Sequence, residues 1–359
     1  MNQTPSLKPL FSIGVPTYNR KDLLKQTLLS ILEQSFADFE VIVGNDFPDE
    51  TISAESLGID DRRVRFINNK QNLGELENMN SLLSMAEGRY FTWQFDDDPC
   101  APTFLSEVHS VLTEFGYPSA VFTGYTGIYG TDIHQFKKNY DARHWLYSGR
   151  DFLRAYLSGS LKAMGCCGFY NTDYLRNIGG VQRLTNGPMA LYSEFLIVIR
   201  SGLLSEVAYV DAPLVTTRVH EQSWTCSSSD AELFKQAGVN LIRESMIILS
   251  SNKLTDDFRI NLSSILKSVI CGVVVRTILQ GKQMSVRELH EYISSIEEEF
   301  VTLKGSLLYQ CAVSCLNNSR NKIPLYIVKA KIKRFIPFRY LKYAHLMRSI
   351  VTRYTNKAF

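Results

Sequence analysis

Residues 90–99 read Tyr90-Phe91-Thr92-Trp93-Gln94-Phe95-Asp96-Asp97-Asp98-Pro99, an apolar β-like run that stops on three consecutive carboxylates. Three negative charges at one strand end repel one another unless a cation or a set of donors sits among them. Ligands bind at the carboxyl edge of the strands in an open α/β sheet. At that edge the triplet calls for a divalent metal carrying a phosphorylated substrate. Hard oxygen ligands suit Mg²⁺ or Mn²⁺, which bridge a few carboxylates to phosphates rather than fill an all-protein cage. A solvated acidic turn with no ion is the alternative.

On either side of this stretch, strand and helix signals alternate as they do in a parallel sheet with crossover helices. Strands are expected at 10–15, 39–43, 64–67 and 90–95, and helices at 22–34 and 75–86, the first with Leu24, Leu28, Ile31 and Leu32 at helical spacing. The strand ends then place Thr17, Asn19, Asp46 and the aspartate triplet on one edge of the sheet. Further on, the pattern predicts a helix at 101–115, a strand at 120–123, an irregular aromatic stretch at 125–150 and short helices at 151–157 and 172–177. A helix at 189–201 and a β-rich run at 207–219, interrupted by Pro213, complete this half. From about Asp230 the signals are helical only, and the polar Ser227, Ser228 and Ser229 mark a boundary between domains 1–228 and 229–359.

The 359 residues, 45% hydrophobic and 21% charged, have the balance of an ordinary globular protein with a substantial core. Residues 268–279 form the most apolar run, but Arg276 breaks it and it is too short to span a bilayer; with no signal-peptide pattern, the expectation is a cytoplasmic protein. Seven scattered cysteines are not a disulfide framework, and Cys311 and Cys315, one helical turn apart, read as buried thiols. The net charge of +3 conceals an asymmetry: residues 319–359 hold eleven Lys or Arg and no acid, which leaves the preceding residues at −8. Within 323–359 these bases interleave with Tyr326, Ile327, Ile332, Phe335, Ile336, Phe338, Tyr340 and Leu341, a pattern suited to an anionic membrane surface. A solvated basic face or a subunit contact is the alternative. Nucleic acid is not the expected partner, because no compact nucleic-acid motif accompanies the charge. Nothing in the pattern sets an oligomeric state.

Several blocks together resemble a known family. They are Ser12-Ile13-Gly14-Val15-Pro16-Thr17-Tyr18-Asn19-Arg20, Phe39 to Asp46, Asn72-Leu73-Gly74, and Gly88-Arg89-Tyr90 leading into the triplet. Asn177-Ile178-Gly179-Gly180, Ser193-Glu194 before Arg200-Ser201-Gly202, and Pro213-Leu214-Val215 followed by Arg218-Val219-His220 continue them. In order and spacing they resemble, over residues 10 to 225, the family 2 inverting glycosyltransferases of the bacterial surface-polysaccharide type, with the GT-A fold. The resemblance implies a nucleotide-diphospho-sugar donor and a glycan or lipid-linked oligosaccharide acceptor at the inner face of the cytoplasmic membrane. Donor binding would fall to Pro16, Thr17, Tyr18, Asn19, Arg20, Asp46, Asn72, Gly74, Asp96, Asp97 and Arg218. Asp46 matches the family's base-reading carboxylate, although Asn45 stands where the family pairs a second acid. UDP-sugars are favoured and dTDP-sugars allowed.

The same resemblance makes Asp96 and Asp98 the Asp-x-Asp pair for Mn²⁺ or Mg²⁺, with His220 completing the metal shell. Glu194 becomes the base that takes the proton of the attacking acceptor hydroxyl, in place of the family's usual Asp. Arg20 and Arg89 suit either the diphosphate or ion pairs, and Gly165-Cys166-Cys167-Gly168 suits either a close approach to the donor sugar or core packing. Two other readings compete: a sugar nucleotidyltransferase, which lacks the Gly-rich basic loop for a triphosphate, and an inactive nucleotide-sugar-binding scaffold.

Overall fold

The computed structural model describes residues 8–129, 136, 140–220, 230–279, 291–292 and 294–296. The basic tail from residue 319 onward, with Cys311 and Cys315, lies outside the described residues. The chain divides into two compact units, one made of Met1–Ser227 with Gln236–Asn261 and one of Ser228–Lys235 with Leu262–Phe359.

Eight strands form one mixed sheet in the order β3-β2-β1-β4-β7-β5-β8-β6. They are β1 (Phe11–Thr17), β2 (Phe39–Asn45), β3 (Val64–Asn68), β4 (Tyr90–Trp93), β5 (Ala120–Tyr129), β6 (Arg143–Ser148), β7 (Phe169–Asn171) and β8 (Glu206–Val219). β1, β2, β3 and β4 pair in parallel, as does β5 with β8, whereas β7 and β6 pair antiparallel with their neighbours. The helices are α1 (Lys21–Leu32), α2 (Ala54–Leu57), α3 (Glu75–Met85), α4 (Phe104–Glu114), α5 (Gly149–Ser158), α6 (Thr172–Asn177), α7 (Ser193–Ser201), α8 (Ala231–Leu249) and α9 (Phe258–Leu279). The expected α/β architecture, a mostly parallel sheet flanked by helices and followed by helices, is the one observed. Phe11, Ile13, Val41, Val43, Phe91 and Trp93 are all buried, because crossover helices cover the parallel strands on both faces.

Where described, the second unit is helical and buries Leu262, Ile265, Leu266, Val269, Ile270 and Val273 at helical spacing. Among the described residues no helix is long and apolar enough to cross a membrane. Cys100, Cys166 and Cys167 are buried free thiols.

Two expectations need correction. The stretch 125–150 is not simply irregular: β5 continues to Tyr129, and Arg143–Ser148 is an edge strand paired with Glu206–Asp211 of β8. Its ladder partner lies more than fifty residues along the chain, so no local pattern announces it. The helix expected at 189–201 starts only at Ser193, because Tyr192 adopts the left-handed conformation (φ 58°) and the preceding residues belong to a loop tied to α3.

The interruption expected at Pro213 is a bulge within a continuous strand. β8 runs through it on a bulge, where the register against β5 jumps from Thr123/Val210 to Gly124/Pro213 and Tyr125/Val215. Beyond the bulge, β8 reaches the segment that follows the aspartate triplet: Ala101 N–H donates to Leu214 O (2.8 Å) and Thr216 N–H to Pro99 O (3.0 Å). That contact carries Arg218 and His220 to the triplet.

Candidate active site

The site lies at the carboxyl edge of β1, β2 and β4, and its centre is an ion-pair network. Arg20, one residue before α1, spreads its guanidinium across two members of the triplet: Nη2 lies 2.6 Å and Nε 3.2 Å from the two oxygens of Asp96, and Nη1 2.9 Å from Asp97 Oδ2. Thr17 Oγ1 donates to Asp96 Oδ2 (2.6 Å), and Thr27 Oγ1 of α1 donates to its carbonyl (2.9 Å). Burial pushes the fully enclosed Asp96 carboxyl up to about 7, against the pull of Arg20. His220 Nε2 stands 3.1 Å from Asp97 Oδ2.

Asp98 is treated differently. Its Oδ1 accepts the Arg218 amide (2.8 Å), and no side-chain cation is bonded to it among the described residues. Burial, then Asp97, raises this carboxyl well above the usual range, with Glu194 and Asp96 adding to the effect. The Arg218 guanidinium donates to Gln26 Oε1 of α1 (2.8 Å), and Asp97 and Asp98 act on its charge.

The expected metal ligands Asp96, Asp98 and His220 are near one another but committed unequally, and among the described residues no three His, Cys, Asp or Glu side chains are gathered to hold an ion. The donor set still suits a hard cation at one point. Asp98 offers a carboxylate Oδ2 that accepts no hydrogen bond among the described residues, and burial with Asp97 disfavours its ionised form. Mg²⁺-type ions are commonly held by one or two carboxylates plus substrate phosphates, so Asp98 with its neighbours meets that requirement without a third protein ligand.

Beside the network a cavity of about 300 Å³ is lined by Pro16, Thr17, Tyr18, Arg20, Asp46, Asn72 and Gly74, all expected donor contacts. Asn19 is exposed in a left-handed turn (φ 52°) and is not among the lining residues. Asp46 is buried, and both its oxygens accept: Leu73 N–H (2.8 Å) and Asn69 Nδ2 (2.9 Å) on one, Gly74 N–H (2.8 Å) on the other. Its carboxylate therefore organises the loop entering α3. Asn45 Nδ2 donates to the Phe47 and Glu50 carbonyls and to Asn68 Oδ1, a role that a carboxylate, which has no donor, cannot fill.

The cavity also holds Glu75, Asn78, Phe95 and Pro188, which the sequence does not assign to the site. Glu75 follows directly on the Asn72-Leu73-Gly74 block and was within reach of it; Pro188 had no signal, since it arrives on a distant loop. That loop is fastened to α3 along its length. Asn80 exchanges two hydrogen bonds with Val181 (2.8 and 2.9 Å), Arg183 pairs with Glu77 (2.8 Å), and Ala190 N–H donates to Glu75 Oε2 (3.0 Å). Gly74, at φ 86°, packs on Pro188, where a Cβ would meet its carbonyl at 2.8 Å.

Glu194 sits in the first turn of α7 with Oε2 accepting the Cys166 amide (3.2 Å). Burial pushes its carboxyl up to about 7, and Glu75 adds to the rise while the Cys166 amide opposes it. The Gly165–Gly168 stretch serves packing: a Cβ on Gly165 would strike the Glu194 backbone, and one on Gly168 the Phe122 and Tyr170 rings. Arg89 lies at the start of β4, at the other end of the strand from the triplet, with its guanidinium 4.1 Å from the centre of the Tyr117 ring. It takes no part in this site.

Residues 12–179 match the model described as Glycosyl transferase family 2. A Campylobacter jejuni protein named GalNAc(5)-diNAcBac-PP-undecaprenol beta-1,3-glucosyltransferase is 32% identical over 165 residues, 42% of this chain and 50% of its own length. In Escherichia coli (strain K12), WcaA, whose name places it as a glycosyl transferase in colanic acid biosynthesis, is 33% identical over 100 residues, 27% of this chain and 36% of its own. The matches thus span half or less of these relatives' lengths. The crystal structure of S. aureus TarS 1–349 in complex with UDP-GlcNAc superposes with a TM-score of 0.51 at 16% identity, covering 81% of this chain and 91% of that one, a likeness of fold. Motif order, sheet-edge geometry and family match agree: residues 12–179 match glycosyl transferase family 2, and the chain has a GT-A-like fold.

Proposed function

We propose that this protein is an inverting, metal-dependent glycosyltransferase that moves a sugar from a nucleoside-diphospho-sugar to a hydroxyl of a glycan or lipid-linked oligosaccharide, in surface-polysaccharide synthesis. The observation that carries the reading is the acidic triplet held by Arg20 at the carboxyl edge of the sheet, beside a cavity of about 300 Å³ that Arg20 also lines. In this reading the cavity takes the nucleotide, and Arg20 and the Arg218 amide hold the acidic triplet in register beneath the diphosphate. A divalent cation, Mn²⁺ or Mg²⁺, would be held by Asp98 with Asp96 and Asp97 close by, and when bound it neutralises charge on the diphosphate. Glu194 removes the acceptor hydroxyl's proton as that oxygen bonds to the anomeric carbon. The bond from that carbon to the diphosphate oxygen breaks, and the nucleoside diphosphate departs from the opposite face.

UDP is the first nucleotide to test, since TarS, of like fold, was solved with UDP-GlcNAc. The lipid-linked acceptor draws support from the undecaprenol-diphosphate in the Campylobacter relative's name. For the basic segment 323–359 the proposal is attachment to anionic lipid at the inner face of the cytoplasmic membrane, where each Lys or Arg is worth about 1 kcal/mol. Sedimentation with anionic vesicles at low and high salt tests it, and a chain that stays in the supernatant at low salt rules it out.

The deciding experiment for the activity is a nucleotide-release screen against UDP-, dTDP- and GDP-sugars with Mn²⁺ or Mg²⁺. Slow hydrolysis of one donor class is expected, and no release from any donor with either metal would overturn the reading.

A further inference from the structure

Glu75 is the first residue of α3, but it does not cap its own helix. Its side chain turns across to the loop before α7, where Oε2 accepts the Ala190 amide at 3.0 Å, while Oε1 has no hydrogen-bond partner among the described residues. It lines the cavity together with Arg20 and Pro188. It is coupled electrostatically to Arg20 and Asp97 of the network, and to Glu194 and Cys166, which are hydrogen-bonded to each other at the proposed base. A sugar joined to a diphosphate above the triplet, with its anomeric carbon open to attack by an oxygen near Glu194, must cross the ground between these two sets.

Resting on the glycosyltransferase reading, we infer that Glu75 selects the transferred sugar: Oε1 accepts a hydrogen bond from a hydroxyl of that sugar, and the charge of Glu75 beside Asp97 and Glu194 excludes sugars that carry a carboxylate. A carboxylate with one oxygen pinned by a backbone amide is held in a single orientation, which is what recognition of a hydroxyl requires. Rejection of a like charge at such a site needs no further contact, because juxtaposed unpaired charges are strongly unfavourable. Burial raises the Glu75 carboxyl and Asp97 adds to the rise, while the Ala190 amide and Arg20 favour its ionised form. The same amide tie places the wall formed by Pro188, so one side chain both shapes the pocket and reads its contents.

The test is calorimetric titration, with Mn²⁺ present, of the full chain and of Glu75→Gln with UDP, UDP-glucose, UDP-galactose, UDP-N-acetylglucosamine and UDP-glucuronic acid. Gln keeps an acceptor for the Ala190 amide and removes only the charge. The wild type should bind a neutral UDP-sugar at least about ten-fold more tightly than UDP-glucuronic acid, and Glu75→Gln should close most of that gap while still binding UDP. Wild-type protein that takes UDP-glucuronic acid as well as the neutral sugars overturns the inference whether or not the variant folds. So does a variant that binds UDP but keeps the wild-type preference. Failure of the wild type to bind UDP or any of the four sugars would instead count against the donor reading itself, which is a different result.

Discussion

Arg20 grips Asp96 with two nitrogens, Nη2 at 2.6 Å from Oδ1 and Nε at 3.2 Å from Oδ2, and the carboxylate it holds is wholly buried. This forked contact is the charge-assisted kind that arginine makes and lysine does not. It answers the repulsion that three adjacent aspartates create, and among the described residues it leaves Asp98 as the member without a bonded side-chain cation.

Removing the fork should therefore harm folding as well as binding. Arg20→Ala leaves Asp96 buried and uncompensated, for which a loss of about 3–5 kcal/mol is expected near neutral pH. Arg20→Lys should recover only part of it. Chemical denaturation at pH 7 and pH 5 checks this: Asp96 can take a proton at the lower pH, so the deficit should shrink there.

At Asp98 the expected effect on the ligand-free protein has the opposite sign. Asp98→Asn removes a charge that burial and Asp97 disfavour, so the variant should melt at or above the wild-type temperature. Stabilisation by Mn²⁺ with UDP should vanish. A variant stabilised as strongly as wild type by that pair would remove Asp98 from the proposed metal site.

Glu194 ties stability and turnover to pH in opposite directions. Its folded-state pKa, about 7, lies above the ordinary 4.5, so the folded protein favours the protonated form and loses that contribution as pH rises through this interval. Glu194→Gln should accordingly gain in melting temperature over wild type at pH 8 and differ little at pH 4. Transfer needs the ionised form, so the acid limb of the wild-type rate should rise through about pH 7, and the Gln variant should lose roughly two or more orders of magnitude. Transfer by that variant within a few-fold of wild type would reject the base assignment.

Gly165 offers a test of how Glu194 is held. Gly165→Ala forces a Cβ into the Glu194 backbone, which by analogy with other overpacked cores should destabilise by about 1–3 kcal/mol. Transfer should fall more than UDP affinity, since the cavity residues lie elsewhere. Equal losses in both would point to general unfolding, which the melting curve would reveal.

Much of this site could be read from one dimension because its parts sit at strand ends. The alternation of strand and helix, the triplet after Phe95, and the positions of Thr17, Arg20 and Asp46 follow from local periodicity and from the rule that parallel strands present their carboxyl ends together. The family blocks placed Glu194, Arg218 and His220 in the same neighbourhood, although no local signal shows that β8 bends through Pro213 to reach Pro99 and Ala101. What only the tertiary structure decided is which partner each charge takes. Arg20 and Thr17 engage Asp96, Asp46 spends its oxygens on the Leu73 and Gly74 amides, the Arg218 amide donates to Asp98, and Glu75 reaches Ala190. Those choices depend on hydrogen-bond geometry and desolvation between residues as far as 120 positions apart, and such terms leave no periodic trace in the chain that carries them.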